Sequence, residues 1–123
     1  MRGNPEPVKD LFSHTEDVTL ANPYGPPVRG CEQVAKTIEH ASSLRSDGTF
    51  VGWQIVAKYV TADLAYVVQI ERAEAKVGAR EEITPYAVRA TMIFRPEEGE
   101  WKDVHRHSDP ITTAQPPESV ILD

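Results

Sequence analysis

Apolar residues follow two different spacings along the chain. Between Glu32 and about Leu44 they recur every three or four residues, which predicts an amphipathic helix whose buried stripe is Val34, Ile38 and Ala41. A shorter stripe of the same period predicts a brief helix over Pro5–Phe12. From Phe50 to Ser108 apolar and polar residues alternate instead, which is typical of strands.

Turn signals divide the alternating region into four strands. Glycine, proline and aspartate clusters bound these segments, and Ser46-Asp47-Gly48 is predicted to end the preceding helix. Two short strands lie upstream of that helix. The six predicted strands are Asp17–Ala21, Val28–Gly30, Gly52–Val60, Leu64–Val77, Tyr86–Arg95 and Trp101–Ser108. Helix, strand, helix and then a run of antiparallel strands make an α+β arrangement.

The length of 123 residues suits one domain, which we assign to residues 1–110. Residues 111–123 carry little periodicity and are predicted to form a C-terminal tail, ordered only where a neighbour holds it.

Charge and composition exclude several partners. The net charge of −6 argues against nucleic acid, and no apolar run approaches the roughly 20 residues that span a bilayer. The first residues lack the apolar stretch of a secretion signal, and the single cysteine, Cys31, cannot form an intramolecular disulfide. We therefore expect a cytoplasmic protein that binds neither nucleic acid nor membrane, and we predict no cofactor.

Several local strings resemble the nuclear transport factor 2-like superfamily, in particular its SnoaL-like and ketosteroid isomerase-like branch. They are DVTL from Asp17, NPYG from Asn22, VRG from Val28, DLAY from Asp63 and GEWKDVHRH from Gly99. The last string is also similar to the closing strand of the association domain of calcium/calmodulin-dependent protein kinase II. The resemblance covers about residues 5 to 110.

This resemblance implies a cone-shaped α+β roll of the cystatin-like kind. A curved antiparallel sheet would wrap around a few helices and leave a pocket at its open end. It also implies a homodimer formed through the outer face of the sheet, which agrees with apolar residues on both faces of the long strands. Relatives begin with a longer helix. Either the true start lies upstream of Met1, or the N-terminal helix of this protein is short, and in that case we expect a more open pocket.

We expect the pocket to be largely apolar, because the alternate residues of the long strands that would line it are mostly apolar. Tyr66 and Val68 are predicted to share the inner face with Met92 and Phe94, while Tyr24 and Trp53 lie near the rim. His105 and Arg106 complete the pocket candidates: Tyr24, Trp53, Tyr66, Val68, Met92, Phe94, His105 and Arg106. Such a pocket suits a small organic ligand or substrate.

The densest polar cluster lies in the last strand. Alternation would place Asp103, His105 and His107 on one face, where a histidine near a carboxylate can act as a general base. We predict His107 or Asp103 as the proton shuttle, with Tyr66 or Tyr24 as hydrogen-bond donor.

Two alternatives remain open for this strand. The histidines could instead form hydrogen bonds across a dimer interface, and the opposite parity, Val104, Arg106 and Ser108, would then face the pocket. A β-bulge would exchange the two faces. His105 and His107 are also a weak metal-binding pattern, and no metal is predicted.

Three functions therefore remain. The first is a SnoaL-like protein of unassigned activity that binds a small, largely apolar organic molecule. The second is an acid–base enzyme of the polyketide cyclase or ketosteroid isomerase type, thus an isomerase, a cyclase or a dehydratase-like lyase. The third is an oligomeric assembly module.

Overall fold

The computed structural model describes Lys9 and residues 11–122. Its helix is α1 (Cys31–Ser43). Six strands are β1 (Thr19–Ala21), β2 (Val28–Arg29), β3 (Arg45–Val60), β4 (Ala65–Val77), β5 (Thr84–Glu97) and β6 (Glu100–Asp109), and a 3₁₀ helix spans Pro117–Val120. Lys9 and Leu11 are helical, and most of the predicted helix over Pro5–Phe12 lies outside the described residues.

The six strands form one sheet in the order β2-β1-β6-β5-β4-β3. The predicted α+β class is confirmed, but the sheet is mixed, because β1 runs parallel to β6 while every other pair is antiparallel. Register shifts interrupt β3–β4 at three places and β5–β6 at one. Such bulges bend and twist a sheet, and here they curve it around α1.

The helix stops close to the predicted position, but the turn expected after it does not form. Ser46-Asp47-Gly48 lies inside β3, whose first residue is Arg45. The register with β4 shifts between Ser46 and Thr49, and Asp47 has a φ of 53°. A bulge therefore accommodates these turn-forming residues within the strand, because Asp tolerates the left-handed conformation better than most side chains.

The hairpin that joins β5 to β6 forms at the predicted turn. Glu98 and Gly99 both have positive φ angles, 53° and 82°. This conformation matches the twist of two antiparallel strands joined by a two-residue loop, and glycine adopts it without strain. The tight loop fixes the register from which the site on β6 is built.

The hydrophobic core lies between α1 and the first strand. Val34 and Ile38 from α1 pack on Phe12, Val18 and Leu20, and all five side chains are buried. The helical stripe predicted from the sequence is thus the face that holds α1 on the sheet. Phe12 also pairs with Asp103 of β6, which fixes the N-terminal segment beside the last strand.

The segment predicted to be a tail contains the 3₁₀ helix and is largely exposed. Among the described residues, no helix is long and apolar enough to cross a membrane.

Candidate functional site

A cavity of about 410 Å³ lies between α1 and the concave face of the sheet. The wall is formed by side chains of the segment before β1, of β1 and the segment after it, of α1, and of strands β3 to β6. Much of this wall is apolar, through Leu11, Phe12, Leu20, Ile38, Phe50 and Val88. Its charged and amide side chains are Asn22, Arg45, Gln69, Glu71, Asp103 and Arg106. We call the concave face the inner face and the opposite one the outer face.

A bulge in β6 decides which of its polar residues reach the cavity. His105 pairs with Ile93 of β5, but Asp103 pairs with the next residue, Phe94, so Val104 has no partner in the register. One extra residue reverses the alternation of side chains. Asp103 and Arg106 therefore both face the cavity, although they are three positions apart, an odd spacing that regular alternation would place on opposite faces.

Asp103 is the buried acid of the cavity. Its exposed fraction is 3%, and its Oδ1 accepts a hydrogen bond of 3.1 Å from the backbone N–H of His105. Burial raises the pKa of Asp103 to about 7, because the hydrogen bond from His105 and the charge of Arg106 only partly offset the lost hydration. Among the described residues, no hydrogen bond reaches Oδ2, which leaves that oxygen available to a ligand.

An ion pair spans the middle of the cavity wall. Arg106 donates to both carboxylate oxygens of Glu71, over 2.6 and 3.0 Å, and Gln69 donates to Glu71 over 2.7 Å. Burial alone would raise the pKa of Glu71, but the hydrogen bonds and charge of Arg106 hold it below its ordinary value. Glu71 thus stays ionised and matches the charge of Arg106.

A second arginine lies at the end of the wall away from Asp103. Arg45 begins β3, and its Nη1 donates to the hydroxyl of Tyr86 over 3.1 Å. Both residues line the cavity, and Tyr24 lines it from the segment after β1.

The two histidines of β6 lie on the outer face. His105 Nδ1 is 2.7 Å from the hydroxyl of Thr19, and burial followed by the charge of His107 lowers the pKa of His105. His107 Nε2 is 2.9 Å from Asp109 Oδ2, which belongs to a carboxylate that also accepts from Arg89. These side-chain hydrogen bonds lie on the outer surface of the sheet, away from the cavity.

The structure therefore separates the predicted catalytic residues. Asp103 lines the cavity, while His107 is on the opposite side of the sheet, so the predicted pairing of these two groups does not occur. Tyr66 pairs with Ile93 and stacks on Tyr59 of β3, also on the outer face. Of the two residues predicted as alternatives for the proton shuttle, Asp103 is among the cavity residues and His107 is not.

The predicted pocket residues are divided in the same way. Tyr24, Met92 and Arg106 line the cavity. Tyr66, Val68 and His105 face outward, which corrects the lining expected from the sequence. Phe94 lies on the inner face beside Asp103 and Trp53 pairs with Glu71, but neither belongs to the cavity wall.

The error for β4 has a physical origin. This strand has large apolar residues at even positions, and its polar residues Gln69 and Glu71 share the odd parity with Ala65, Ala73 and Ala75. The large apolar side chains favoured the face of the even-numbered residues as the interior. The buried residues of β4 are instead Ala65 and Ala75, which lie on the odd-numbered face. Ala73, which has the same parity, lines the cavity beside Gln69 and Glu71.

Sequence reasoning missed six polar residues of the cavity wall: Asn22, Ser42, Arg45, Gln69, Glu71 and Tyr86. The alanines of β4 were the available signal, because a face of small residues permits close packing and frees space for longer polar neighbours. Arg45 had no comparable signal, since the predicted strand began seven residues later, at Gly52.

The described residues contain no group of three or more His, Cys, Asp or Glu side chains placed to hold a metal ion. His105 is hydrogen-bonded to Thr19 and His107 to Asp109.

The sequence matches no protein-family model and no curated protein. Solved structures do match. A nuclear transport factor 2-like superfamily protein from Salmonella enterica is 18% identical, with a TM-score of 0.75 over 94% of this chain and 82% of that one. A proposed dehydratase of the same family from Streptomyces avermitilis is 20% identical, with a TM-score of 0.72 over 89% and 85%.

A third solved structure is a ketosteroid isomerase-like protein from Erwinia carotovora. It is 18% identical, with a TM-score of 0.72 over 89% of this chain and 83% of that one. At these identities the likeness establishes the fold, and the cone-shaped nuclear transport factor 2-like fold expected from the sequence is confirmed.

Proposed function

We propose that this protein, which has the nuclear transport factor 2-like fold, binds a small, largely apolar organic molecule in the cavity and transfers protons to or from it through Asp103. The observation that carries this proposal is a carboxyl group that is buried in the cavity wall and has a pKa raised to about 7. This selects the acid–base alternative from the functions considered for the sequence.

The binding part of the proposal is supported by the shape and lining of the cavity. Its volume of about 410 Å³ is within the usual range for small-molecule sites. An apolar wall provides affinity through burial of ligand surface, and a few fixed polar groups orient the ligand. The Glu71–Arg106 pair is one such group, because each side chain holds the other in place.

The chemical part is supported by the state of Asp103. A carboxyl group with a pKa near 7 exists in both protonation states at neutral pH, so it can donate a proton and take one back. Its neutral form would donate a hydrogen bond from Oδ2 to a ligand carbonyl, and its ionised form would accept a proton from the neighbouring carbon. An apolar site that keeps an acid neutral is an established route to this chemistry.

Two solved structures of the same fold agree with this reaction class. One is described as a proposed dehydratase and another as ketosteroid isomerase-like. Removing water or moving a double bond each requires a group that takes a proton from one atom and returns it to another. Asp103 is the candidate for that group here.

The experiment uses 2-acetonaphthone, a neutral bicyclic ketone whose methyl protons exchange with deuterium when a base forms its enol. Binding is measured by titration calorimetry and exchange by proton NMR in deuterium oxide. We expect saturable binding and saturable exchange with the unaltered protein. Asp103→Asn should still bind, since an amide N–H can replace the acid as donor, but should lose exchange.

Asp103→Ala should lose exchange and bind about tenfold more weakly, because the hydrogen bond to the ketone is gone. Asp63→Asn, which alters an exposed carboxyl in the turn between β3 and β4, is the matched control and should change neither property. Absence of binding would contradict the whole proposal. Binding with exchange that survives Asp103→Asn would contradict the role of Asp103 alone.

A further inference from the structure

We propose that the molecule bound in the cavity carries a carboxylate, which Arg45 and Tyr86 hold at the end of the cavity away from Asp103. This inference rests on the proposed function, because it specifies the ligand class of the same site. It concerns binding and orientation, so Arg45 and Tyr86 are specificity-determining residues rather than acid–base groups.

The charges that face the cavity do not balance by pairing. Strand β3 contributes Arg45, β4 contributes Glu71, and β6 contributes Asp103 and Arg106. The cavity residues of α1 are Ile38, Ala41 and Ser42, which carry no charge. Glu71 is fully engaged by Arg106 through two hydrogen bonds. Arg106 is therefore paired with Glu71, and within the described residues neither Glu71 nor Asp103 forms an ion pair with Arg45.

Arg45 is the cation left without a close anion. In the part of the chain that the structure describes, no carboxylate lies within ion-pair distance of its guanidinium, and its hydrogen bond goes to the neutral hydroxyl of Tyr86. Its charge acts on Glu71 only at longer range. A half-buried cation of this kind is stabilised by an anion that arrives with the ligand.

The donors are arranged for a carboxylate. A guanidinium has five N–H groups in a planar fork that matches two carboxylate oxygens. Arg45 uses Nη1 for Tyr86, and within the described residues no hydrogen bond from Nε or Nη2 is found. The Tyr86 hydroxyl accepts from Arg45 and so keeps its own O–H for a further acceptor. Together the two side chains offer three donor groups to one anionic head.

The position of this pair sets the length of the ligand. Tyr86 precedes Phe94, the register partner of Asp103, by eight residues on β5. That separation is at most about 26 Å of extended strand, and the curvature of the sheet and the reach of both side chains shorten it. The ligand should therefore be elongated, with its carboxylate remote from the carbonyl that meets Asp103.

The test uses 5-(naphthalen-2-yl)-5-oxopentanoate and its methyl ester, a pair that differs in the negative charge at the far end of the chain. Both contain a ketone with exchangeable neighbouring protons. We expect the acid to bind about tenfold more tightly than the ester, because a charge-assisted hydrogen bond replaces a neutral one. Arg45→Gln should bring the two affinities together by weakening the acid alone.

The matched control is Arg72→Gln, which removes the same charge from the exposed outer face of β4 and should keep the preference. Unchanged ester affinity shows that Arg45→Gln is folded. Should that variant fail to fold, Tyr86→Phe removes one hydroxyl and should reduce the preference about threefold. Equal affinities in the unaltered protein, or a preference that survives Arg45→Gln, would overturn this inference. Failure of 2-acetonaphthone and the ester to bind would instead overturn the proposed function.

Discussion

The inner and outer faces of β6 place their ionisable side chains in different surroundings. On the inner face Asp103 and Arg106 border an enclosed cavity, while on the outer face His105 and His107 form hydrogen bonds across the sheet surface. The residues alternate within one short strand, and Val104 is the point where the alternation changes. Residue type would favour the histidines as acid–base groups, but burial gives Asp103 the pKa near neutrality.

The largest effect we expect is the pH dependence that Asp103 imposes on stability. The pKa of this carboxyl is about 7 in the folded protein and near 3.8 when unfolded. Between these values the folded state binds more protons than the unfolded state, so the contribution of Asp103 to stability falls as the pH rises from about 4 to about 7. The loss amounts to about 4 kcal/mol and is complete above that window.

Urea unfolding of the unaltered protein and Asp103→Asn across this range measures the effect. The two free energies of unfolding should agree at about pH 4 and diverge until the variant is more stable by about 4 kcal/mol near pH 8. Other carboxyls, such as Glu71, titrate alike in both proteins and cancel in the difference. Parallel curves would mean that Asp103 is hydrated, and the contrast between the two faces would then be lost.

The second effect compares ion pairs on the two faces. Arg106 and Glu71 are each about one-fifth exposed, whereas Arg89, which pairs with Asp109 on the outer face, is 51% exposed. Removing one partner of a buried pair leaves an uncompensated charge, while exposed pairs contribute little. We expect Arg106→Met to lower the free energy of unfolding by about 3 kcal/mol and Arg89→Met by less than about 1 kcal/mol.

Urea unfolding at neutral pH measures both variants, and the double variant Arg106→Met with Glu71→Gln tests the cause. That second change removes the isolated charge and should recover part of the loss. Similar costs for Arg106→Met and Arg89→Met would show that the cavity wall is as hydrated as the outer face.

The third effect concerns the outer face as an interface. Tyr59 and Tyr66 stack there with ring centroids 5.9 Å apart, and both are partly exposed. We expect a homodimer to cover this face, and a carboxylate in place of Tyr66 should weaken it about tenfold through buried charge. Sedimentation equilibrium of Tyr66→Asp measures the change, with Asp63→Asn as control. An assembly larger than a dimer would instead favour the assembly-module alternative.

The parts of the fold that the sequence predicted share one property, which is an unambiguous period. In α1 apolar residues occupy one stripe, and in β5 Tyr86, Val88 and Met92 share one face while Arg89 and Thr91 lie on the other. For such elements burial of the apolar side is the only favourable orientation, so the pattern determines the face.

The parts it could not predict lack that property. Strand β4 has apolar residues on both faces, and the choice depended on which face the helix covers. The bulge at Val104 has no local signature, since valine is an ordinary strand residue. It arises from register with β5, which is a long-range property. Because of the bulge at Val104, His105 and His107 lie on the face opposite to the one that regular alternation with Asp103 predicts.

The smallest effect is the one expected for His107. Its side chain is 51% exposed, and its hydrogen bond to Asp109 lies on the outer face. We expect His107→Ala to change the free energy of unfolding by less than about 1 kcal/mol and to leave both 2-acetonaphthone binding and deuterium exchange unaltered. The same exchange assay applied to Asp103→Asn provides the contrast within one strand. If His107→Ala abolished exchange while Asp103→Asn retained it, the chemistry would belong to His107 and to the outer face.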